Sequence, residues 1–115
     1  MTDIPEAAAR PDALIVLCTC PDEATAAGIA TALLAAGLAA CVNCVSGIRS
    51  MYRWEGEIRD DTEVLLVIKT RAARYAALEA TLRAQHPYDL PEIIALPVVA
   101  GSRDYLSWIG QATGA

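Results

Sequence analysis

Apolar positions along the chain come in runs of strand length, separated by stretches with helical spacing. Ala13 to Cys18 is a continuous apolar run that fits a central strand covered on at least one face. Thr19-Cys20-Pro21-Asp22-Glu23 then reads as a helix start. Pro21 suits a first turn because it has no N–H to leave unpaired, and the two carboxylates face the positive end of the helix dipole. Ala26, Ile29, Ala30 and Leu33 recur at helical spacing, and Gly37 is the expected C-terminal cap. Leu38 to Val45 is a second apolar run, broken by Ser46-Gly47. From Ile48 to Trp54 the chain alternates: Ile48, Ser50, Tyr52 and Trp54 share one parity, Arg49 and Arg53 the other. Glu55-Gly56 sits where a tight turn sends the chain back through Ile58.

Asp60-Asp61-Thr62 reads as punctuation before a third strand, Glu63 to Thr70. A second helix is predicted from about Ala72 to Ala84, with Tyr75, Leu78 and Leu82 on one face. It stops at His86-Pro87, because the residue before a proline is pushed out of the α region. After the loop Tyr88-Asp89-Leu90-Pro91 comes a strand over Ile93 to Val99, in which Pro97 demands an edge position or a bulge. Gly101-Ser102 opens a last short helix carrying Tyr105, Leu106, Trp108 and Ile109. The order predicts an α+β fold: a ferredoxin-like sandwich from a split βαβ repeat, with an extended β-hairpin and a C-terminal helix. Residues 1–12 read as a flexible tail and 13–115 as a single domain.

Composition narrows the functional classes. With 115 residues, 55% hydrophobic and 20% charged, the chain is long and apolar enough for one core. Alanine is abundant and Phe absent, so Leu, Ile, Val and small residues must build that core. The net charge of −5, with Lys69 the sole lysine, argues against nucleic acid and anionic membranes as partners. No apolar stretch approaches membrane-spanning length. Residues 1–12 show no basic or apolar leader pattern, so the four cysteines, at 18, 20, 41 and 44, are expected as reduced thiols in the cytoplasm. The hairpin around Trp54 projects Met51, Tyr52 and Trp54 beyond what two helices can cover, which predicts a homo-oligomer joined through these edges.

Two constellations carry candidate chemistry. Cys18 ends the first strand and His86 the second helix, so the topology lets both reach the same rim of the sheet; thiolate and imidazole suit copper or zinc more than magnesium or calcium. The plainer readings are a small core residue at Cys18 and a helix-terminal hydrogen-bonding residue at His86. Cys18-x-Cys20 is expected to diverge to opposite faces of its strand and so to be weakly metal-like. Cys41-x-x-Cys44 has the spacing of a zinc half-site or redox pair, but lies in a strand rather than at a thiolate-stabilising helix start. The second set, Tyr52, Trp54, Glu63, Lys69, Tyr88, Glu92, Tyr105 and Trp108, mixes aromatic walls with a few charges, as small-ligand clefts do; interface packing with Lys69 in an ion pair is the alternative. No nucleophile, zinc-hydrolase or phosphate-loop signature occurs, so no enzyme is expected.

Six segments in register resemble the CutA1 divalent-cation tolerance proteins: Cys18-Thr19-Cys20-Pro21-Asp22-Glu23, Leu38 to Asn43, Ser50 to Gly56, Lys69-Thr70-Arg71, His86 to Ile93 and Tyr105 to Ile109. The resemblance covers about residues 13 to 109. It implies a ferredoxin-like subunit in a homotrimer, a soluble bacterial protein, a role in tolerance of copper and other divalent metals, and an architecture similar to PII signalling trimers. It also implies a copper site at the position of Cys18 with neighbouring histidines, one matching His86. Where some members have two histidines before Pro-Tyr, this chain has Gln85-His86, one imidazole fewer, and an amide oxygen is a poor copper ligand. The resulting expectation is a non-enzymatic trimer that binds a soft metal through Cys18 and His86. The alternative is a PII-like signalling or scaffold trimer that takes a small ligand or partner protein in inter-subunit clefts.

Overall fold

The computed structural model describes residues 12–114. The tail expected over residues 1–12 therefore lies, Asp12 apart, outside the described residues. Four strands, β1 (Ala13–Cys20), β2 (Cys41–Trp54), β3 (Glu57–Arg71) and β4 (Ile94–Pro97), form one antiparallel sheet in the order β2-β3-β1-β4. Three α-helices are described: α1 (Glu23–Ala35), α2 (Tyr75–Gln85, preceded by a 3-10 turn, Ala72–Arg74) and α3 (Arg103–Ala112). This is the α+β arrangement the order of elements predicts.

The two-residue strand period divides the sheet into unlike faces. Val16, Cys18 and Cys20 of β1 and Val64, Leu66 and Ile68 of β3 are buried with Ala26, Ile29 and Leu33 of α1 and Leu78 and Leu82 of α2 in one core. Thr70 is fully buried on the same face, and its hydroxyl donates to the Leu38 carbonyl at 2.7 Å. The opposite face bears half-buried Ile15, Leu17, Leu65 and Val67 and exposed Val45, Ile94 and Leu96.

Local chemistry sets the ends of α1. Asp22 is its N-cap, accepting from the Thr25 N–H at 2.7 Å. Pro21 thus precedes the cap instead of entering the first turn, because the Asp22 carboxylate supplies the acceptor that the opening N–H groups need. At the other end Gly37 takes φ +68°, the left-handed conformation that favours glycine. Leu38 N–H then reaches Leu33 O at 2.9 Å and Gly37 N–H reaches Leu34 O at 3.1 Å, closing a Schellman motif.

The long hairpin departs from the sequence reading in two places. Ser46-Gly47 does not end a strand; the pair forms a bulge inside β2, where the register shifts between Val45 and Ile48. Asp60-Asp61-Thr62 is not punctuation either. These residues pair with Met51, Ser50 and Arg49, because a hairpin arm exposed to water on both sides accepts polar side chains without loss. Glu55 (φ 50°) and Gly56 (φ 78°) make the two-residue turn that matches the strand twist. β4 is shorter than expected, ends at Pro97 and pairs only with β1, so the proline sits on an edge strand. The Arg71 and Arg74 guanidinium groups both donate to Thr113, fixing the end of α3 beside the start of α2.

Candidate metal centre

Cys18 and Cys20 lie two residues apart at the end of β1, and both are fully buried. The expectation that they diverge is corrected: residues i and i+2 of a strand share a face, and both thiols point into the helix-covered core. His86 reaches them from the end of α2. Pro87 forces it out of the helix into an extended conformation (φ −77°, ψ 136°), which turns its ring back toward β1. One ligand atom from each of Cys18, Cys20 and His86 lies within 4.8 Å of the other two, and all three residues are buried.

The imidazole is held at both nitrogens. Tyr88 N–H donates to Nδ1 at 3.1 Å, which assigns the proton to Nε2, and Nε2–H donates to the Thr19 carbonyl at 2.8 Å. The Tyr88 ring packs beside it with centroids 4.7 Å apart. The Cys18 thiol lies 3.9 Å from the Thr19 carbonyl oxygen, to which it donates. Cys18 is pushed well above the ordinary thiol range because its S–H is held by Cys20, and burial adds to the effect. Cys20 falls below that range because Cys18 donates to its thiolate.

This donor set fits a soft ion. Two sulfurs and one imidazole in a dry pocket suit copper or zinc, whereas magnesium and calcium require oxygen ligands that the group does not offer. A metal taken by His86 must exchange one ring hydrogen bond, a cost of about 1 kcal/mol that is small beside typical metal binding energies.

Next to this group, with Thr19 in its wall, a cleft of about 810 Å³ opens between the hairpin and residues 88–92. Of the residues singled out in the sequence for a ligand cleft, Tyr52, Trp54, Glu63, Tyr88 and Glu92 line it. Glu63 is buried and its Oε2 accepts from the Tyr88 hydroxyl at 2.9 Å. Lys69, Tyr105 and Trp108 are placed elsewhere. Lys69 lies on the face away from the core helices, donating to Asn43, with its Nζ 3.9 Å from the Cys41 sulfur. Tyr105 and Trp108 pack on one another along α3 with ring centroids 5.4 Å apart. Lys69 makes no ion pair among the described residues. Cys41 and Cys44 are both free; three residues apart on a strand, they face opposite sides of the sheet, so no dithiol forms there.

The sequence reading missed Cys20 as a partner of Cys18, although the two-residue spacing carried the signal. It also missed Asp61, Asp89, Arg49 and Arg59 in the cleft wall. Charged residues on a hairpin or a loop are normally solvated, and nothing local marks these as facing a cavity.

The fold is that of a small α+β protein with a buried cluster of two thiols and one imidazole at one rim of its sheet. Comparison with known proteins gives the fold its family. The family model described as CutA1 divalent ion tolerance protein matches residues 14–112, and the chain belongs to that family. A divalent-cation tolerance protein of Thermus thermophilus is 48% identical over 100 residues, covering 87% of this chain and 97% of the relative. One from Pectobacterium atrosepticum is 47% identical over 101 residues, covering 88% and 92%. Among solved structures, the Thermus thermophilus protein superposes with a TM-score of 0.87 at 47% identity, over 89% of this chain and 99% of that one. A structure from Archaeoglobus fulgidus, described as a periplasmic divalent cation tolerance protein, gives 0.85 at 36% identity, over 88% and 98%. The family is named for tolerance of divalent ions and not for a reaction.

Proposed function

We propose that this protein is a non-enzymatic, homotrimeric copper-tolerance protein that binds a soft metal ion through Cys18, Cys20 and His86. The observation that carries the reading is the convergence of two buried sulfurs and one imidazole within 4.8 Å. Thiolates and a neutral imidazole are the binding forms, so acidification opposes binding. Four free thiols favour a reducing, cytoplasmic setting. A trimer is favoured by the exposed apolar side chains of Val45, Ile94 and Leu96 on the sheet and of Met51 and Ile58 on the projecting hairpin.

The test is a competitive titration of reduced protein with copper(I) against a chromophoric chelator. The parent protein should bind saturably, and Cys18→Ala, Cys20→Ala and His86→Gln should each weaken it. Binding that all three variants leave unchanged would make the cluster a core feature only. Sedimentation should give a particle of about 37 kDa, three times the 12.2 kDa chain; a 12 kDa particle at micromolar concentration would refute the trimer. A second reading, a PII-like ligand-sensing trimer, is favoured by one observation, the cleft of about 810 Å³ walled by Tyr52, Trp54 and Tyr88.

A further inference from the structure

We propose that the cluster of Cys18, Cys20 and His86 selects a monovalent soft ion, copper(I) or silver(I), over divalent zinc and cadmium. The inference rests on the reading of this cluster as a metal site and extends it from softness to charge and coordination number. Softness alone admits both copper and zinc; the number of donors separates them.

The donor count stops at three. One ligand atom each from Cys18, Cys20 and His86 lies within 4.8 Å of the other two, and among the described residues no further cysteine, histidine or carboxylate joins them. His86 is the sole histidine of the chain. Cys41 faces the other side of the sheet. Cys44 shares the core side, but it pairs with Leu66, which in turn pairs with Cys18. A whole strand therefore stands between Cys44 and Cys18, two strand spacings or about 9–10 Å.

Burial excludes a fourth ligand from outside. Cys18 and Cys20 are fully buried and His86 is only 7% exposed. These values belong to a single chain, and a second copy packed against it can only lower them. Neither bulk water nor a neighbour's side chain reaches the two sulfurs. The Thr19 carbonyl does lie beside the cluster, 2.8 Å from His86 Nε2 and 3.9 Å from the Cys18 sulfur. It is a neutral, hard donor of the kind calcium takes, whereas zinc is held by thiolates, imidazoles and carboxylates. Zinc completes a structural site with four such ligands, or keeps water in an open fourth position. This cluster offers neither. A closed-shell monovalent ion is satisfied by two or three soft donors, and its lower charge costs less to enclose where water is absent. The family is named for divalent ions, and the donor set of this chain fits a monovalent one.

The experiment is a metal competition on the reduced protein. Silver(I) and copper(I) are each titrated against a chromophoric chelator, and zinc(II) or cadmium(II) is then added to the silver-loaded protein. Silver should bind saturably, and zinc or cadmium in about hundredfold excess should leave it in place, a preference of two or more powers of ten in Kd. A designed fourth donor tests the cause. Val64 is buried and pairs with Cys20 on the core face, so Val64→Cys, a change of similar size, sets another thiol directly opposite. That variant should tighten zinc and cadmium binding by about tenfold or more while silver changes little. The ranking in the parent chain needs no variant, so it decides the proposal even where Val64→Cys fails to fold. Displacement of silver by equimolar zinc or cadmium, or a folded Val64→Cys variant with no gain for either, would overturn the preference while leaving the cluster a soft-metal site. Failure of all four ions to bind would overturn the metal reading itself and this inference with it.

Discussion

His86 is where stability and metal binding can be separated by measurement. Its ring, 7% exposed, ties the end of α2 to β1 through the Thr19 carbonyl at 2.8 Å and takes the Tyr88 N–H at 3.1 Å. His86→Ala removes both bonds and leaves Thr19 O and Tyr88 N–H without their partners. At roughly 1 kcal/mol net for each bond, the pair accounts for about 2 kcal/mol. The vacated ring volume adds about 1 kcal/mol more, for an expected loss of ~3 kcal/mol. The assay is urea unfolding at one fixed protein concentration, since the midpoint of an assembled protein depends on that concentration. His86→Gln places an amide near Nε2 and keeps the Thr19 bond, whereas His86→Asn places one near Nδ1 and keeps the Tyr88 bond. Each should lose only about 1 kcal/mol, the value of the bond it fails to make. Neither amide restores an imidazole lone pair, so both should still bind copper(I) more weakly than the parent. An alanine variant within 1 kcal/mol of the parent, or amide variants no better than alanine, would refute the stapling role.

Other expectations follow from the same geometry. Leu33 is fully buried in the core, and Leu33→Ala should cost roughly 3 kcal/mol in urea unfolding, with a loss below 1 kcal/mol showing that the site collapses without strain. Gly37→Ala meets no atom within 4 Å but must adopt φ +68°, so it should cost about 1 kcal/mol through backbone strain alone. The Tyr88 phenol is raised above its ordinary range by burial first and by the Glu63 hydrogen bond second. A folded-state value above the unfolded one means that the protonated phenol contributes stability below the unfolded value, near pH 10, and that this is lost as pH rises further. Tyr88→Phe should therefore show a stability deficit that is constant from about pH 7 to 9 and narrows above pH 10; a deficit that widens there would reverse the sign.

The kind and order of the elements were legible because their signals are local. The apolar run before Cys18, the helical spacing of Ala26, Ile29, Ala30 and Leu33, the glycine at 37 and the proline after His86 each act within a few residues. Topology then put the end of β1 and the end of α2 at one rim, which was enough to name Cys18 and His86 together. Where the local period was misjudged, as at Cys20, the error was correctable from the sequence alone. Other features were not local. Whether Ser46-Gly47 ends a strand or bulges within it depends on the partner strand, and Asp60-Asp61-Thr62 becomes strand only because the opposite arm, Arg49 to Met51, supplies its ladder.

The site shows the same division. Sequence supplied the chemistry, two thiols and one imidazole. The packing of Leu78 and Leu82 against the sheet brought His86 across 67 positions to the Thr19 carbonyl, turned Tyr88 toward both the imidazole and Glu63, and made a cleft beside the cluster. Periodicity records which face a residue occupies, but the distance between atoms on different elements is set by how side-chain volumes fill the space between them, and only the folded chain fixes that.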